Sequence, residues 1–210
     1  MKSWILGLVL AALPALGGQP VHPVALYTEF QQPPPIVVLQ AIQNEVGAIM
    51  APLAVQFDWR PLASAGEDAA VPELAVVRFK GRCDLLGLFP HSASSGALGW
   101  THVSDGAVLP FTEVDCDVIR DFLQPGLICL RAAGRETAYG RAVGRVVAHE
   151  LYHVFAKTQH HSARGVAKPS YTMEDLLSPR FRFTEHDGDE LREVLNAFAP
   201  PGVSDAMHND

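Results

Sequence analysis

The chain has 210 residues, of which 48% are hydrophobic and 19% charged, enough for a substantial core in one domain or two small lobes. Its formal net charge is −7, from 16 Lys and Arg against 23 Asp and Glu, with no block of basic residues. That balance argues against nucleic acid or an anionic membrane as a partner.

Residues 1–19 combine a charged start at Lys2, an apolar run ending at Pro14 and a small-residue exit at Gly17-Gly18. This pattern predicts a secretory signal peptide and a secreted or periplasmic location. The run is shorter than a bilayer span, and no later segment is expected to cross a membrane. Residues 20–35, rich in Pro and Gln, predict an extended N-terminal arm. Apolar periodicity predicts a helix over 36–50, closed by Pro52. Strands are expected at 55–59, 73–80 and 97–103. Asp105-Gly106 marks a hairpin turn into a return strand at 107–114, and 127–130 reads as one more strand. Helices follow over 134–156 and 188–198. The order predicts an α+β domain over 36–210. Its N-terminal lobe, 36–158, holds a twisted mixed sheet with two helices, and a small irregular C-terminal lobe, 159–210, holds one helix.

Three cysteines, Cys83, Cys116 and Cys129, allow three pairings in an exported chain. The sequence does not choose among them, although Cys83 with Cys116 is the pairing we favour. None lies in a C-x-x-C, which argues against a cysteine zinc site.

The segment His149-Glu150-Leu151-Tyr152-His153 lies inside the long predicted helix. Residues i and i+4 stack on one helix face, so both imidazoles reach one zinc ion. Glu150 sits about 100° further round, where it holds a water rather than ligating the metal. Val143, Val147, Leu151, Val154 and Phe155 form an apolar stripe. His149 and His153 lie among small residues on roughly the opposite side, as expected of a buried helix facing a site. Zinc brings the pKa of a bound water to about 7, and a neighbouring carboxylate takes its proton. The expected activity is therefore zinc-dependent hydrolysis of peptide bonds, with a peptide or protein substrate, a monomeric enzyme and Glu150 as general base. A catalytic zinc takes three protein ligands and keeps one open position. His160, His161, Glu174, Glu185 and His186 are the downstream candidates for the third.

From His149 to Tyr171 the chain resembles the metzincin clan of zinc peptidases, whose pattern is H-E-x-x-H-x-x-G-x-x-H followed by a Met-bearing turn. His161-Ser162 and then Ala167-Lys168-Pro169-Ser170-Tyr171 resemble the matrix-metalloproteinase-like stretch in which Ser follows the third His and Met-x-Pro-x-Tyr comes later. The resemblance implies a zincin fold. It also implies a longer loop after the helix, with His160 or His161 as third ligand. Tyr171 would line the pocket or donate to the oxyanion, with plain packing as the alternative. The strand at 97–103 would be an edge that pairs with extended substrate, or an ordinary hairpin with Trp100 in the core. The chain departs from the pattern at Ala156 (for Gly), Gln159 (for the third His) and Ala167 (for Met), with Met173 six residues on. The rival readings are a gluzincin-like peptidase with Glu174 as third ligand, and a non-catalytic exported zinc-binding protein. Asp115 and Asp117 are too few to argue a calcium site; a solvated turn is the expectation.

Overall fold

The structure, a computed structural model, describes residues 21–66, 73–86, 88 and 96–198. The expected signal peptide lies outside these residues. The chain forms a five-stranded mixed sheet with helices, an α+β arrangement.

Strand β1 (His22–Phe30) leads into helix α1 (Ile36–Met50) and strand β2 (Val55–Pro61), which returns parallel to β1. Strand β3 (Leu74–Lys80) lies parallel on the other side of β1. Strands β4 (Gly99–Ser104) and β5 (Ala107–Asp115) form an antiparallel hairpin, and β5 lies parallel to β3. The sheet order is β2-β1-β3-β5-β4, so β4 is an edge strand. Asp105 and Gly106 both adopt positive φ, 49° and 80°, as the hairpin turn requires.

The expected arm is corrected here. Residues 22–30 are extended, but they form a strand flanked by β2 and β3, with Val24, Ala25, Leu26 and Tyr27 buried. The four consecutive buried positions hide the alternation that marks a half-exposed strand. The strand expected at 127–130 is also corrected. Residues 127–129 end helix α2 (Cys116–Cys129), in which Ile119, Leu123 and Leu127 make a buried stripe at i, i+4 and i+8. The Asp115 side chain caps it, accepting from the Val118 N–H at 3.0 Å. Asp117 pairs with Arg120 at 2.8 Å, so both acidic residues have structural partners.

Helix α3 (Ala132–Ala156) is buried without a break from Ala142 to Phe155. A Cβ at Gly140 would stand 2.7 Å from the Val38 carbonyl, and one at Gly144 2.9 Å from the Ile42 carbonyl. These two glycines let α1 and α3 pack backbone to backbone. Residues 36–53 pass as a membrane span by length and apolar composition, contrary to the sequence expectation. Here they supply Val38, Ile42, Val46, Ile49 and Leu53 to the core. Beyond α3, short helix α4 (Met173–Leu177) carries a capping box from Thr172 and Asp175, and α5 (Glu185–Phe198) follows. The described chain thus has three α-helices before residue 158 and two after it, one more in each part than expected.

Cys83 and Cys116 form a disulfide, fastening the segment after β3 to the start of α2, and Cys129 is free and exposed.

Candidate metal centre

His149, Glu150 and His153 occupy the last two turns of α3 and are nearly buried, at 7%, 4% and 7% exposure. The helix ends at Ala156, and the chain turns one residue later. Lys157 takes the left-handed conformation, φ 49°, and its N–H caps the His153 carbonyl. That shift places the turn where the sequence has no glycine, and the loop returns as 158–167. It brings the exposed His161 over the helix, its ring 5.3 Å from that of His149 and 4.7 Å from that of His153.

One ligating atom from each of His149, His153 and His161 lies within 4.8 Å of the others. Of the two histidines expected to compete, His161 joins this group. His160 stands outside it, and its backbone N–H donates to Thr158 Oγ1 at 3.1 Å. Glu174, on α4, and Glu185 and His186, on α5, stand outside the group.

The hydrogen bonds define the ring tautomers. His149 Nδ1 lies 2.8 Å from the Val166 carbonyl, and His153 Nδ1 lies 2.8 Å from the Thr158 carbonyl. A carbonyl only accepts, so each Nδ1 carries the proton. In the neutral rings both Nε2 atoms then present lone pairs, and they face each other at 3.1 Å. Two lone pairs at that distance repel unless a cation lies between them. Two nitrogens bound tetrahedrally to one zinc at about 2.0–2.1 Å stand roughly 3.3 Å apart, so the donor set fits such an ion. Burial pulls the His149 imidazole down to about 4, with the Val166 hydrogen bond opposing, and also lowers His153 and His161. Neutral imidazole is the form that binds metal.

The loop carrying His161 is anchored on both sides. The Ser162 N–H donates to the Ala167 carbonyl at 2.9 Å, and the Ser162 hydroxyl donates to Asp187 of α5. Asp187 is 1% exposed and also accepts from the Thr184 hydroxyl at 2.6 Å. Ala167, at the position where the resemblance has Met, is buried in the core, while Met173 sits at the start of α4, against Gly126 of α2. The Tyr171 hydroxyl lies 2.8 Å from His149 Nδ1 and donates to the Val166 carbonyl. It therefore stands behind His149, on the side away from Nε2, and burial raises its pKa. This placement holds the His149 ring, and Tyr171 also lines a cleft beside His149 and Glu150.

Burial pushes the Glu150 carboxyl up to about 7, against a hydrogen bond from Thr101 that lowers it. Glu150 and His149 lie where two clefts of about 310 and 300 Å3 meet, with Gly99 and Pro169 also shared between them. The first cleft runs along Trp100, Thr101 and Val103 of β4 and past His153 and His161. The second runs over Leu98, Phe122, Val146 and Tyr171. Trp100 faces the first cleft and carries Lys80 Nζ 4.7 Å from its ring centre. Thr101, Thr158 and Val166 carry no signal in sequence as site residues: two of them act through backbone carbonyls, and Thr101 is 49 positions from Glu150.

Compared with known proteins, the chain matches no family model and no curated protein.

Proposed function

We propose that this protein is an exported zinc-dependent peptidase of metzincin-like, zincin-type fold, with His149, His153 and His161 as zinc ligands and Glu150 as general base. The carrying observation is the convergence of three imidazoles, with no fourth His, Cys, Asp or Glu in their group among the described residues, beside a carboxylate that opens on the same cleft. A purely structural zinc is usually closed by a fourth protein ligand and has no need of that carboxylate.

When bound, zinc supplies an acidified water in its open position and polarises the substrate carbonyl. The residues do the rest. His149 and His153 are held by the Val166 and Thr158 carbonyls, which fix each ring with its Nε2 free. Glu150 accepts a proton from the attacking water as the new C–O bond forms. It passes that proton to the leaving nitrogen as the C–N bond breaks. A carboxyl group whose pKa is lifted by burial suits both transfers near neutral pH. Among the described residues the outer edge of β4 has no strand neighbour in the sheet, and β4 lines the cleft. An extended peptide adding to that edge lays its backbone across the site, the role the resemblance gives to this strand.

The test is digestion of casein by the zinc-loaded full chain, beside Glu150→Gln. The expected result is cleavage by wild type, lost in Glu150→Gln while the variant keeps its zinc. Equal cleavage by both, or loss of metal from Glu150→Gln, contradicts the assignment of the base.

A further inference from the structure

The two oxygens of the Glu150 carboxylate have different surroundings, and β4 shapes both. Thr101 Oγ1 stands 2.7 Å from Oε2 and 3.1 Å from the backbone carbonyl of Glu150. A hydroxyl has one proton to give, and the nearer, ionisable acceptor is Oε2. Oε1 receives no hydrogen bond from the described residues. Its space depends on Gly99: a Cβ there would stand 2.9 Å from Oε1, 2.9 Å from Val146 Cγ1 and 3.1 Å from the Glu113 carbonyl. Gly99 and Thr101 are two apart, so they share one face of β4. One thus leaves Oε1 room while the other holds Oε2.

We propose that Thr101 is a positioning residue for Glu150, holding Oε2 so that Oε1 is the oxygen presented to the attacking water. The role rests on the peptidase reading above. In the reaction a water O–H bond breaks and an O–H bond forms on Oε1; the same proton then moves to the leaving nitrogen. Throughout, the Thr101 hydroxyl has the Glu150 carbonyl as a second acceptor, so it follows the carboxyl group without losing a partner. Thr101 also ties the edge strand that would carry the substrate to the helix that carries the base. Substrate and base therefore keep a fixed relation.

The experiment compares the zinc-loaded full chain with Thr101→Val and Thr101→Ser, using the peptide that wild type cuts fastest in a casein digest. Valine keeps the shape of threonine and removes the hydroxyl; serine keeps the hydroxyl. The expected result for Thr101→Val is unchanged zinc content and KM, with kcat lowered about ten- to hundredfold, the effect of losing a hydrogen bond to a charged group. Thr101→Ser should restore kcat to within about threefold of wild type. A Thr101→Val variant with wild-type kcat, or one whose whole loss lies in KM or zinc content, overturns the role, as does a Thr101→Ser variant as slow as Thr101→Val. Should Thr101→Val not fold, Thr101→Ala is read by the same criteria. A wild type that cleaves nothing overturns the peptidase reading and this role with it. A cleaving wild type matched by Thr101→Val overturns this role alone.

Discussion

His149 and His153 place their Nε2 atoms 3.1 Å apart, and each ring has its Nδ1 proton committed to a backbone carbonyl. Neither nitrogen then has a proton to share with the other, so the pair is arranged for a cation. His161 completes the arrangement from the loop, and His160 does not.

The two adjacent loop histidines should therefore behave differently. His161→Ala should lower zinc affinity by at least tenfold, and His160→Ala should leave it within about twofold, as loss of a ligand compares with loss of an exposed side chain. Titration against a chromophoric zinc chelator reads both. The reverse ranking would mean that the loop turns differently after Lys157.

In the metal-free protein His149 and Glu150 should have opposing pH effects on stability. His149 is lowered from 6.5 to about 4, so its contribution is complete above pH 6.5 and is lost as pH falls through 4. Glu150 is raised from 4.5 to about 7, so its contribution is complete below pH 4.5 and is lost as pH rises through 7. Each is worth at most about 3 kcal/mol, and between pH 4.5 and 6.5 they offset one another. Glu150→Gln removes the second effect alone. Its stability relative to wild type should rise by up to about 3 kcal/mol between pH 5 and pH 8. Denaturant unfolding of metal-free samples checks this, and a difference constant across that range would contradict it.

Arg145, one turn before His149 on α3, is 1% exposed and paired with Glu45 of α1 at 2.7 Å. It also donates to the Asp175 carbonyl at 2.9 Å and to Ser178 Oγ at 3.2 Å, so it joins α1, α3 and α4. Glu45→Ala strands a buried guanidinium and should cost about 3–5 kcal/mol, whereas Glu45→Gln, which keeps an acceptor, should cost clearly less. Urea unfolding measures both. A Glu45→Ala loss below about 1 kcal/mol would show that Arg145 finds water or another partner.

Local patterns made much of the fold legible in the sequence. The 3.6-residue stripe of α1, the Asp105-Gly106 turn and the His149/His153 spacing each depend on neighbours a few residues away. What could not be read depends on distant partners. β1 is buried on both faces and shows no alternation. The end of α2 is a short apolar run after Pro125-Gly126, equally compatible with a strand until Asp115 is seen to cap the helix. The choice of His161 over His160 follows from the left-handed Lys157 and the anchoring of Ser162 by Asp187, 25 residues later. Thr101 and Gly99 reach Glu150 only because the hairpin places β4 at the sheet edge beside α3.

The most direct test of a catalytic zinc site is the X-ray absorption spectrum of the zinc-loaded full chain. Three His ligands with an open position predict a four-coordinate ion with three imidazole nitrogens at about 2.0–2.1 Å and one further oxygen from water. A fourth protein ligand, a sulfur in the shell, or a chain that takes up no zinc would contradict the account.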